Sequence, residues 1–121
     1  LNVSTDHVKP SPTSSRHHGH GNMDLYNASK WALNGFTFDW AKSLAKHNIR
    51  VNNLCVGATD TEMLRKWSGS NPDPVWVKSW MRPEDVAEVI INLIEEGPDG
   101  RTGDNVGLYA GFDCVLPPPE A

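Results

Sequence analysis

The sequence has 121 residues, a formal net charge of −4 and 38% hydrophobic residues, which suits one domain at most. Mild acidity gives no footing for nucleic acid or an anionic membrane surface. No apolar run approaches a bilayer span, and the opening residues lack the basic-then-apolar pattern of a secretion signal. Two cysteines, Cys55 and Cys114, make no disulfide framework and read as free thiols of a reducing cytoplasm.

In chain order, Leu1–Thr5 reads as the end of a short apolar strand. Asp6–Met23 is a polar loop by composition, holding Pro10, Pro12, Gly19 and Gly21 among Ser and Thr residues. From Asp24 to His47 no Pro intervenes, and Trp31, Leu33, Phe36, Phe38, Trp40, Leu44 and Ala45 recur at three- and four-residue steps, which predicts a long helix. Ile49–Cys55 reads as a strand, with Asn52 and Asn53 interrupting its apolar run as for a strand ending near a site, and Val56–Thr61 as a polar turn. Glu62–Trp67 and Pro74–Trp80 read as two short helices divided by Ser68–Pro72. Their Trp67, Trp76 and Trp80 are costly to leave in water; they either pack on the sheet or a neighbouring subunit, or wall an apolar substrate pocket as a lid over about 60–81. Arg82-Pro83-Glu84-Asp85 opens the last helix. Val86, Val89, Ile90, Leu93 and Ile94 form its apolar face, and Gly97 ends it. Asn105–Ala110 is a final strand, and Pro117–Pro119 a tail that cannot join a sheet. Alternating strands and helices predict an α/β fold with a parallel sheet and right-handed crossovers. Three strands need partners on their open edge.

Residues four apart on a helix share a face, so the predicted helix sets Tyr26 beside Lys30. An ordinary phenol loses its proton near pH 10, and a neighbouring cation favours the phenolate. Bringing a phenol to neutral pH costs about 4 kcal/mol, more than an exposed lysine supplies; a lysine together with a cofactor cation in a dry pocket meets it. Such a pair exchanges a proton with an alcohol or ketone oxygen. The competing reading is a surface pair with no role.

Five short words then stand in order: Tyr26-Asn27-Ala28-Ser29-Lys30, Ile49-Arg50-Val51-Asn52, Val56-Gly57-Ala58-Thr59-Asp60-Thr61, Arg82-Pro83-Glu84-Asp85-Val86-Ala87 and Thr102-Gly103-Asp104-Asn105-Val106-Gly107. Each is weak alone. Together, and at these spacings, they closely resemble the short-chain dehydrogenase/reductase family over nearly the whole chain. The resemblance implies residues 1–121 of a single NAD(P)-binding Rossmann-like domain, specifically the C-terminal half of its doubly wound parallel sheet. The upstream half with its Gly-rich turn has no counterpart here, and the isolated chain is expected not to bind the dinucleotide by itself.

What the resemblance implies for chemistry is hydride transfer between NAD or NADP and a secondary alcohol or ketone, in a cytoplasmic homo-oligomer, a tetramer or dimer. Tyr26 matches the family's proton donor and acceptor, and Lys30 the residue that binds the nicotinamide ribose. Asn2-Val3-Ser4-Thr5 resembles the family's strand end and places the substrate-holding hydroxyl on Thr5; by bare spacing Thr13 or Ser14 competes. Strand ends hold geometry better than loops, which favours Thr5. Gly57 matches the glycine beside the nicotinamide, Thr59 the backbone contact to its carboxamide, and Thr61 a hydroxyl on the carboxamide or pyrophosphate. Val56 departs from the family's usual Pro. An ordinary capped turn is the alternative for residues 57–61. The interval from Thr5 to Tyr26 exceeds the family's usual one, so the loop over about 6–23 reads as extended, leaning over the substrate mouth. A metal site on its His17, His18 and His20 has only Asp24 at a supporting spacing. A non-catalytic binding or assembly module of the same fold remains the alternative function, and the retention of both Tyr26 and Lys30 counts against it.

Overall fold

A computed structural model describes residues 1–9 and 22–120. Strands β1 (Asn2–Thr5), β2 (Asn53–Val56) and β3 (Asn105–Leu108) form a parallel sheet in the order β1-β2-β3. Helix α1 (Asp24–Leu44) joins the first two strands. Short helices α2 (Glu62–Trp67) and α3 (Pro74–Ser79), then α4 (Pro83–Glu95), join the last two. The parallel α/β expectation holds. No helix among the described residues is long and apolar enough to cross a membrane.

Local chemistry accounts for the boundaries. α1 continues as a 3-10 turn over Ala45–His47 and stops where Asn48 takes a left-handed conformation, φ 56°. The Thr61 hydroxyl accepts from the Leu64 N–H, and the Asp73 carboxylate from the Val75 N–H, capping α2 and α3. Pro83 fills the first turn of α4, whose last carbonyls, on Leu93 and Ile94, each accept from the Arg50 guanidinium at 3.1 Å.

The second strand is shorter than Ile49–Cys55 and sits later in the chain. The stretch just before it bonds in several directions: Ile49 N–H donates to Leu44 C=O, while Val51 turns to the 101–104 loop, its N–H donating to Thr102 Oγ1 at 3.0 Å and its C=O accepting from Gly103 N–H at 2.7 Å. Asn52 grips Arg101 C=O and Asp104 N–H through its amide. Pairing as a strand begins only at Asn53. The final strand likewise ends at Leu108 instead of Ala110, because Gly111 turns the chain at φ 85°. Asp6–Val8, inside the expected loop, forms a 3-10 turn capped by Thr5.

The sheet's two faces differ. On one, Leu54, Val106 and Leu108 pack with Val89 and Leu93 of α4 and with Met81, all 5% exposed or less. Ile94, expected on that face, is 61% exposed. On the other, α1 lies over polar groups: Asn34 accepts from the Asn53 amide, which also donates to Asn105 Oδ1 at 2.8 Å, and Asn2 donates to Thr37 Oγ1 at 3.0 Å. Neighbouring strand residues point to opposite faces, so Asn53 against α1 and Leu54 against α4 put the two helices on opposite sides. Strand order runs the same way at both steps, so the two connections have opposite hands, which corrects the expectation of two right-handed crossovers. The right-hand rule rests on a strand feeding directly into its crossover helix; here residues 57–82 intervene.

Candidate active site

The pairings Thr5 to Val56 and Val56 to Leu108 bring the carboxyl ends of the three strands level, the edge where open α/β sheets place ligands. Thr5 ends β1 buried, its hydroxyl donating to Asp6 Oδ1 at 3.2 Å and accepting from His7 N–H at 3.4 Å. Beside it Gly57 leaves β2, its N–H held by Leu108 C=O at 2.8 Å. A Cβ on Gly57 would lie 3.0 Å from both Asp6 Oδ2 and Ala110 N, so only glycine lets this turn approach the first and third strands.

The turn is then pinned from outside. Ala58 C=O accepts from Met81 N–H, and Asp60 N–H donates to Met81 C=O, a parallel bridge that closes the base of the 60–81 segment. Between those bonds, neither the N–H nor the C=O of Thr59 has a partner among the described residues; its hydroxyl donates to Gly57 C=O at 3.1 Å. Asp60 and Arg65 form a two-pronged exposed ion pair at 2.6 and 2.7 Å, which holds the Asp60 carboxyl below its ordinary range.

Tyr26 stands in the first two turns of α1, 41% exposed. Lys30, one turn on, places Nζ 5.6 Å from the Tyr26 ring centre and donates to Val3 C=O at 3.1 Å. Ser4 Oγ donates back to Lys30 C=O at 3.2 Å, tying this turn of α1 to β1. The first turn of α1 is tied again by His7, whose Nδ1 lies 3.2 Å from Asn27 Oδ1 and whose ring meets Tyr26 edge to face.

A cavity of about 440 Å³ opens here. Its polar end comprises Thr5, Asp6, His7, Tyr26, Gly57, Thr59 and Thr61; its apolar wall includes Met23, Met63, Leu64, Trp67 and Trp76. Trp67, Trp76 and Trp80 form an edge-to-face chain, ring centres 6.4 and 5.0 Å apart, with Trp80 buried behind. Two of the three tryptophans therefore wall the pocket, and the third packs beneath.

Of the residues singled out from sequence, Thr5, Tyr26, Gly57, Thr59 and Thr61 share this cavity. Lys30 lies behind Tyr26, outside the lining. Thr13, Ser14, His17, His18 and His20 lie outside the described residues; among those described, no three His, Cys, Asp or Glu side chains gather as a metal would need. Sequence reasoning missed Asp6 and His7. The available signal was only their place directly after a strand end. Cys55, buried in β2, has its thiol pushed up to about 11 chiefly by burial, which makes it a core residue and no nucleophile.

Residues 11–113 match the family model described as enoyl-(acyl carrier protein) reductase. The 3-oxoacyl-[acyl-carrier-protein] reductase of Thermotoga maritima is 33% identical over 99 residues, 78% of this chain and 40% of its own length. Carbonyl reductase family member 4 of Xenopus tropicalis is 38% identical over 80 residues, 65% of this chain and 34% of its own. Among solved structures, a putative oxidoreductase from Escherichia coli superposes at TM-score 0.68 and 26% identity, over 92% of this chain and 40% of that one. A 4-hydroxyisoleucine dehydrogenase complexed with NADH does so at 0.60 and 29%, over 91% and 44%. The chain thus spans 34% to 44% of the length of these four proteins. The family model's reach over 11–113, those reductase relatives and the shared parallel sheet lead to one conclusion: the chain belongs to the short-chain dehydrogenase/reductase family.

Proposed function

We propose that this chain carries the reacting end of an NAD(P)-dependent oxidoreductase that interconverts a secondary alcohol and its ketone. The observation that carries the reading is the gathering of Thr5, Tyr26, Gly57, Thr59 and Thr61, spread over the sequence, around one cavity. NADH in the related 4-hydroxyisoleucine dehydrogenase and the reductase relatives favour the same chemistry.

The residues present fit a nicotinamide. A primary carboxamide offers one carbonyl and one NH₂, and the N–H and C=O of Thr59, without a partner among the described residues, complement both. When bound, the dinucleotide supplies or accepts the hydride. Lys30 has three N–H donors, of which Val3 takes one, leaving two for ribose hydroxyls. Thr61 uses its hydroxyl oxygen to cap α2 and keeps its proton to donate. Tyr26 takes the alcohol proton in oxidation and returns it in reduction. Thr5 turns its hydroxyl from Asp6 to the substrate oxygen, and the apolar wall at Trp67 and Trp76 receives the substrate's carbon body. The exposed Trp31, Phe38 and Trp40 of α1 supply surface for a homo-oligomer, a tetramer or dimer, which sedimentation of the intact protein tests.

Tyr26→Phe keeps the ring and removes the proton carrier. In the intact protein, turnover should fall by about 10²–10⁴-fold with NADH affinity within about twofold. A fully active Tyr26→Phe enzyme sinks the proposal.

A further inference from the structure

We infer that His7 is a positioning residue: it clamps the strand end bearing Thr5 to the helix turn bearing Tyr26. The inference rests on the roles proposed for those two groups and adds a residue to them. Contacts of His7 run toward both elements. Its backbone N–H donates to Thr5 Oγ1 at 3.4 Å. Its Nδ1 lies 3.2 Å from Asn27 Oδ1, in the residue directly after Tyr26. Its ring lies edge to face on Tyr26, centres 6.2 Å apart and planes 77° apart.

An amide carbonyl oxygen only accepts, so the bond to Asn27 requires the imidazole proton on Nδ1. The short Asp6–Val8 turn gives this ring a fixed origin, because Thr5 caps that turn. The backbone end of His7 therefore sets the Thr5 hydroxyl, and its ring sets the first turn of α1. That turn needs the help: its capping position, Met23, contributes no side-chain hydrogen bond. Lys30 and Ser4 hold α1 to β1 one turn further on, so among the described residues His7 is the tie that acts at the level of the phenol. An enzyme that passes a proton between Tyr26 and an oxygen held by Thr5 depends on that separation, since a misplacement of about 1 Å costs on the order of 10²-fold in rate.

The test uses the intact protein with His7→Phe, which keeps an aromatic ring against Tyr26 but donates nothing, Asn27→Ala, and both together. Each single variant should lower kcat by about tenfold to a hundredfold, in line with that positional cost, with NADH affinity and melting temperature near wild type. The double variant should be no worse than the poorer single one, because the two residues share one hydrogen bond. Multiplying losses, or unchanged kcat in the single variants, overturns the inference.

Nitrogen-15 spectra of the histidine rings, with His7 assigned by its absence in His7→Phe, give a readout independent of activity. Wild type should show His7 protonated on Nδ1, and Asn27→Ala should release that tautomer. A wild-type Nε2–H tautomer overturns the clamp. Failure of the underlying reading looks different: Tyr26→Phe then turns over normally while the ring spectra still show the Nδ1 bond.

Discussion

Glycine at position 57 is the most economical place to perturb the site without touching a proposed reacting group. A Cβ there meets Ala110 N and Asp6 Oδ2 at 3.0 Å and Leu108 O at 3.2 Å, where ordinary contact begins near 3.4 Å. Two of these three atoms are backbone, and Leu108 O is the acceptor for Gly57's own N–H at 2.8 Å. Relief therefore requires the 57–60 turn to part from β3, with Thr59 carried along. Gly57 does not have a positive φ, so the cost is steric overpacking alone, about 1–3 kcal/mol. In a domain of this size that lowers Tm by about 4 °C per kcal/mol. Gly35 is the control. It sits in α1, where an added Cβ would have nothing within 4 Å, and alanine there should stabilise by up to about 1 kcal/mol through helix propensity. Urea unfolding of the intact protein, with and without saturating NADH, measures both. Gly57→Ala should unfold earlier and gain less from NADH than wild type; Gly35→Ala should unfold later and gain as much. A Gly57→Ala protein as stable as wild type, with full NADH protection, refutes the reasoning.

Other perturbations address separate links. Lys30→Met should weaken NADH binding as well as turnover, unlike Tyr26→Phe, because it removes ribose donors along with the cation near the ring; calorimetry with NADH shows the difference. Trp76→Ala should raise KM for alcohols with bulky apolar groups far more than for short ones, since Trp76 walls the cavity; equal effects across a chain-length series would refute it. The Cys55 thiol is pushed from 9.0 up to about 11 by burial, so above pH 9 the unfolded chain gives up a proton that the folded one keeps. Stability from this group is present below about pH 9 and declines from there to about 11. A Cys55→Ala variant should lose part of that alkaline decline in denaturant titrations run across the range.

The sequence by itself determined which elements exist. An uninterrupted apolar periodicity marked α1, Pro83 with its acidic neighbours marked the start of α4, and the spacing of Tyr26 and Lys30 put them one helical turn apart. These signals are local, written within a few residues of the structure they specify. What only the tertiary structure decided depends on partners distant in sequence. Residues 49–52 look like strand, but Val51 and the Asn52 side chain bond to the 101–104 loop, because Thr102 and Gly103 reach the Val51 backbone first. The opposite faces taken by α1 and α4 follow from which strand residues each helix covers, and no single helix carries that information. Trp67 and Trp76 became pocket wall while Trp80 became core because the Thr59–Met81 bridge fixes how the 60–81 segment folds back. His7 entered the site for the same reason: a capped turn aims its ring across 20 residues of sequence at Asn27, a direction set by packing and invisible to spacing.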